Sequence, residues 1–246
     1  MPVLPEELKF YASLSRPEDD VAVSGGALDA SCVLNVTQLA ASDQIRAVSD
    51  NAADTMNLTI RGRNAGGEIV SETLAMNGLT PVIFAATFER FISSTLASAA
   101  AGNVTIERNA GANDDIVVLP AGKTDATMLF IASTSEEAAT TRFEKTFIRN
   151  ENLTLSLTGA MIELTADPST SIRIGVVTAK NDVTSITNRK AIPGGITFTD
   201  DGVAQAVPTG SLAANESIGV WVEMGRGALA VPIKTSFTTQ ITGQSI

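Results

Sequence analysis

The chain has 246 residues and carries 27 acidic against 17 basic side chains, a formal charge of −10. It holds no histidine and a single cysteine, Cys32, which excludes Ser-His-Asp and Cys-His catalysis, the usual imidazole or multi-cysteine zinc and iron sites, and any intrachain disulfide. Apolar residues make up 44% but aromatics only 4%, so the interior must be built from Ala, Val, Ile and Leu beside much Thr, the β-branched bias of pleated sheet.

In chain order, the first element is an expected arm. Prolines at positions 2, 5 and 17 suit a sheet interior poorly, so residues 1–20 are expected to extend over a neighbouring subunit. The same stretch lacks the basic and apolar regions of a secretory signal. No stretch reaches the roughly eighteen uncharged apolar residues of a membrane helix. Strand signals then recur between Gly, Asn, Asp and Pro at 31–38, 45–49, 56–63, 68–76, 103–108 and 116–119. Met56-Asn57-Leu58-Thr59-Ile60-Arg61 alternates apolar and polar residues, the period of a sheet with one wet face. The loop from Arg61 to Glu68 reads as a hairpin, since Asn64 and its glycines accept positive φ, and Asn77-Gly78 closes the second strand. At 87–98, Phe88, Phe91, Ile92 and Leu96 fall at spacings near three and four, which fits a short helix or a strand and turn.

The texture breaks at Pro120-Ala121-Gly122-Lys123, and a second series follows at 127–133, 141–149, 153–164, 171–178, 195–198, 217–223 and 236–242. The fold class is therefore all-β: two antiparallel β-sandwich units, Ig-like or jelly-roll-like, at 21–120 and 121–246 behind the arm. One interleaved sandwich whose first sheet crosses the boundary is the alternative.

No constellation points to chemistry. Glu72, Glu89, Glu163 and Glu223 are the carboxylates a glycosidase would draw on, but Glu72 and Glu163 occupy polar positions of alternating strands and aromatic platforms are scarce. Gly62-Arg63-Asn64-Ala65-Gly66-Gly67 lacks the Lys-Ser/Thr of a phosphate loop, and Pro193-Gly194-Gly195 reads as a tight turn. Asp19-Asp20, Asp114-Asp115 and Asp200-Asp201 read as solvated turns, without the spacing of a calcium loop. Cys32 reads as a small buried apolar residue. Arg16, Arg61, Arg63, Arg173, Arg189 and Arg226 are isolated and form no basic stripe, so pairing with partner subunits is expected in place of nucleic-acid binding. The acidic balance also disfavours nucleic acid and anionic membrane. The expectation is a non-enzyme with no catalytic, cofactor-binding or metal-binding residues and no cofactor.

Two stretches resemble accessory virion proteins of tailed bacteriophages. The first runs from Met56 through Gly78, continues with Phe88-Glu89-Arg90-Phe91, and ends in Ala101-Gly102-Asn103-Val104-Thr105-Ile106. The second comprises Glu144-Lys145-Thr146-Phe147-Ile148-Arg149-Asn150 with the strand that follows, Asn188 to Phe198, and Leu212 to Trp221. These motifs mark turns and core positions, and together they cover roughly three quarters of the chain. The resemblance implies a virion structural protein, first a capsid decoration or cement protein, second a neck, collar or tail component. A host-binding adhesin module is the rival reading. The implied partners are further copies of the chain and the major capsid protein or other head and tail proteins, in a virion assembled in the host cytoplasm.

Overall fold

The computed structural model describes residues 2–110, 114–130, 138–167, 171–228 and 236–245. The fold is all-β, and among these residues the helical elements are two single 3-10 turns, Pro5–Glu7 and Pro208–Gly210. The chain forms two compact units, one of Met1–Asp29 with Ala132–Ile246 and one of Ala30–Ile131. The first strands are β1 (Leu8–Ser15) and β2 (Ser24–Val33), and β2 contributes residues to both units.

The unit of Ala30–Ile131 contains β3 (Asp43–Ser49), β4 (Asn57–Arg63), β5 (Ile69–Ala75), β6 (Val82–Phe88), β7 (Arg90–Leu96), β8 (Val104–Arg108), β9 (Asp115–Leu119) and β10 (Asp125–Thr127). One sheet runs β10-β7-β4-β5 and the other β6-β3-β8-β9. Leu58, Ile60, Phe91 and Leu96 of the first sheet are buried, as are Ile45, Ala47, Phe84, Phe88, Val104 and Ile106 of the second. Each of these side chains larger than alanine contributes about 1.5–3 kcal/mol by leaving water. The hairpin forms as its sequence indicates: β4 and β5 pair antiparallel from Asn57↔Ala75 to Arg63↔Ile69. Asn64 closes it by accepting the Glu68 N–H on Oδ1 at 3.0 Å. Gly78 holds φ +54 in the next turn, as only an unhindered residue does readily.

The other unit adds β11 (Thr140–Asn150), β12 (Leu157–Ala166), β13 (Ile172–Val176), β14 (Ser185–Ile186), β15 (Gln205–Ala206), β16 (Ser211–Leu212), β17 (Ser217–Arg226) and β18 (Thr238–Ser245). Its main sheet runs β13-β17-β11-β1-β2, with β14 on the first residues of β2. In its second sheet β12 is flanked by β18 on one side and by β15 and β16 on the other. Ala160, Ile162 and Leu164 alternate inward on β12, with Ile174 of β13 and Ile218, Val220 and Val222 of β17 buried in the main sheet. Two register shifts against β18, at Thr158/Met161 and Leu164/Ala166, each place the extra residue in β12.

Several elements differ from the sequence reading. Residues 8–15, expected in an extended arm, form β1 and pair with β11 from Leu8↔Asn150 to Ala12↔Thr146. The prolines at 2, 5 and 17 flank this strand and do not interrupt it. The division between units falls at 29/30 and 131/132, where the sequence suggested 20/21 and 120/121, because Asp125–Thr127 form β10 beside β7 and β2. Residues 87–98 hold the end of β6 and all of β7, with no helix. Residues 153–156 precede β12, because the Asn152 side chain accepts N–H bonds from Thr154 and Leu155 and turns the chain there. Residues 195–198 form no strand, and pairing is limited to a bridge between Thr199 and Ile174. Residues 111–113 of the expected turn and 131–133 of the expected strand lie outside the described residues.

Candidate functional site

The ionisable groups that reach the interior of the larger unit gather around β11. Lys145 stands opposite Trp221 of β17, and Phe147 stands opposite Gly219. A side chain at Gly219 would bring its Cβ within 2.8 Å of the Lys145 Cε, so glycine leaves the room that the lysine stem fills. The Lys145 side chain is 0% exposed, and its Nζ lies 5.0 Å from the Phe147 ring centroid and 5.7 Å from that of Trp221. It donates to the carbonyls of Gly26 (3.1 Å), Asp182 (3.2 Å) and Thr184 (3.1 Å) and forms an ion pair with the Asp182 carboxylate. Burial pulls the lysine below its ordinary range, while the bond and charge of Asp182 work the other way. Burial alone would raise the Asp182 carboxyl, but bonds from Lys145 and Thr184 hold it below the usual carboxylate range. An ammonium with this many acceptors and no exposure is a tie between β11 and the 182–184 turn. It is not an accessible nucleophile.

A second cluster involves the chain near Asp20 and Arg189. Arg142 grips Asp20 with two bonds, Nε to Oδ1 at 2.6 Å and Nη2 to Oδ2 at 2.7 Å. Lys190 approaches the same carboxylate at 3.2 Å. Arg189, 1% exposed, pairs with Glu144 and donates to the Glu18 carbonyl at 3.0 Å. The Arg142 bonds hold the Asp20 carboxyl down at about 2. At the far end of β11, the Tyr11 phenol bonds Glu151, and burial followed by that carboxylate pushes its ionisation above the ordinary range.

In the Ala30–Ile131 unit the counterpart is Asp54, 2% exposed. It accepts from Ser49 Oγ (2.6 Å), Ala101 N (2.8 Å) and Gly102 N (3.0 Å). Burial would raise its carboxyl, and these three bonds bring it below the usual value.

The carboxylates singled out from the sequence are engaged separately. Glu72 on β5 accepts the backbone N–H groups of Ala85 (2.9 Å) and Ala86 (2.8 Å) on β6. Glu89 joins β6 to β7, Glu163 stands opposite Gln240 on β12, and Glu223 forms an ion pair with Arg173. Asp20 and Asp114 are not merely solvated turn residues: Asp20 holds Arg142, and Asp114 pairs with Arg108 at 2.7 Å. Asp200 accepts the Asp201 N–H at 3.0 Å. Arg16, Arg173 and Arg189, expected to face partner subunits, pair within the chain, Arg16 with Asp29 at 2.8 Å. Cys32 is buried, as its sequence reading expects. Among the described residues no group of three or more His, Cys, Asp or Glu is placed to hold a metal ion.

Sequence reading missed Lys145, Asp182 and Arg189 as ties. A signal was present: in Arg142-Phe143-Glu144-Lys145-Thr146-Phe147 three charges fall within a single strand, and a charge on an aromatic row needs a buried partner. A cleft of about 450 Å³ lies between the N-terminal segment and β18, lined by Val3, Pro5, Leu8, Phe10, Leu157 and Ile241 among others. Compared with family models, curated proteins and solved structures, the chain matches none.

Proposed function

We propose that this chain is a non-enzymatic structural component of a tailed-phage particle, with capsid decoration as its first placement. The observation that carries the reading is the use of the interior ionisable groups. Lys145, Asp182, Arg142, Asp20, Arg189, Glu144 and Asp54 all join strands to loops, which is what a rigid building block needs. The phage-like stretches support it from the sequence side: 56–78 folds as a hairpin and 144–150 as the centre of a sheet, positions that build a scaffold. The function then lies in surfaces presented to copies of the chain and to the shell. The test is co-sedimentation of labelled, purified chain with tailed-phage particles of its own kind. Saturable binding that withstands washing supports the reading. A chain that stays in the supernatant at every concentration overturns it.

A further inference from the structure

The edges of β13, β9 and β6 are closed by this chain's own groups. Gln205 Oε1 accepts the Val176 N–H at 3.0 Å, and its Nε2 donates to the Ile174 carbonyl at 2.9 Å on β13. The Thr37 N–H donates to the Ile116 carbonyl of β9 at 2.7 Å. Glu72 caps Ala85 and Ala86 of β6. β15 and β16 are two residues each, too short to template a partner.

β18 is different. Its eight residues pair with β12 on one side, and among the described residues no other strand pairs with it. The bulges lie in β12, so β18 stays regular. A long regular edge with free N–H and C=O groups templates another strand unless charge, proline or a bulge blunts it. Thr238-Thr239-Gln240-Ile241-Thr242-Gly243-Gln244-Ser245 contains no charge and no proline. The apolar cleft opens beside this strand, with Ile241 in its wall.

We propose that β18 is a self-interface, in which the β18 strands of two copies pair antiparallel about a two-fold axis and the second copy covers the cleft. The occupant follows from charge and symmetry. Copies of a chain with charge −10 repel, and a strand without charges is where their approach costs least. Six of the eight residues are Thr, Gln or Ser, whose hydroxyls and amides both donate and accept across an antiparallel self-pairing. The same patch then serves on both copies, and the contact closes without propagating. An eight-residue strand pair falls short of the about 1,200 Å² of a standard stable complex, so the dimer is weak and concentration-dependent. This interface goes beyond the particle reading and does not depend on it.

The experiment is sedimentation of the full chain from about 1 μM to about 1 mM. The wild type is expected to pass from monomer to dimer. Thr242→Glu and Thr242→Lys, at an exposed position opposite Met161, each place like charges near the two-fold and should weaken the dimer at least about ten-fold. Mixing the two variants should restore it as a heterodimer, while circular dichroism reports unchanged folding. A monomeric wild type over the whole range, variants that dimerise like wild type, or a mixture no better than its components would each overturn the proposal. Particle binding is read separately, so either reading can fail alone.

Discussion

Replacing Lys145 by methionine isolates what the buried ammonium contributes. Methionine keeps an unbranched stem between the Phe147 and Trp221 rings and removes the four-acceptor contact of Nζ. The Thr184 carbonyl still receives the Gly26 N–H at 2.8 Å, and the Asp182 carboxylate keeps its Thr184 bonds and some access to water. The carbonyls of Gly26 and Asp182 lose this donor. The larger loss is the buried ion pair with Asp182, and breaking such a pair costs about 3 kcal/mol. Lys180, paired with Glu216 at 2.6 Å in a more open setting, is the control: Lys180→Met should cost at most about 1 kcal/mol. Trp221 is the sole tryptophan and adjoins Lys145, so urea unfolding followed by its fluorescence reads this unit. The midpoint should fall with little change in slope. A Lys145→Met protein as stable as Lys180→Met would refute the argument that the ammonium ties β11 to the 182–184 turn.

Acid should act on the same unit. Asp20 is depressed to about 2, so its contribution is complete above the ordinary carboxylate range and is lost as pH falls towards that value. Asp182, also depressed, adds in the same direction. Trp221 fluorescence should report falling stability below about pH 4, with a smaller fall in Asp20→Asn. If both proteins lose stability equally on acidification, Asp20 is not the responsible carboxylate. Tyr11 is the sole tyrosine, so absorbance of its phenolate should be absent in folded protein at pH 11 and appear on unfolding. Ordinary phenolate formation near pH 10 in the folded chain would contradict its burial against Glu151. Glu72→Ala uncovers the Ala85 and Ala86 N–H groups on β6, and light scattering should show increased association, whereas scattering equal to wild type would remove Glu72 as an edge guard. Gly25→Ala requires a side chain at φ +98 with Cβ 2.6 Å from the Trp221 ring; a loss of about 2 kcal/mol or more is expected by urea titration, and a neutral effect would contradict that packing.

What the sequence made legible was local. Leu58 and Ile60 alternate with Thr59 and Arg61, and Asn64 with Gly67 turns the chain, so β4, β5 and their loop were readable from adjacent residues. The misread region at 87–98 has a physical cause. Phe88 ends β6, Glu89 turns the chain, and a register shift at Arg61/Gly62 lets Phe91 and Ile92 both be buried on β7. A strand, a turn and a bulge thus reproduced helical spacing. β1 was obscured by prolines that prove to lie outside it. The ties were illegible for another reason: Lys145 and Asp182 are 37 residues apart, and Arg142 and Asp20 are 122 apart. Only the folded chain brings such pairs together, so single charges in the sequence read as surface. The uncharged run of β18 was visible, but its place at an edge was not.

The proposed role in a tailed-phage particle is tested most directly by an electron-microscopy reconstruction of such particles assembled with a labelled copy of the chain. Label density is expected at regularly repeated sites on the particle, first of all on the head shell. Particles that carry no label while the chain accumulates in the soluble fraction would contradict it.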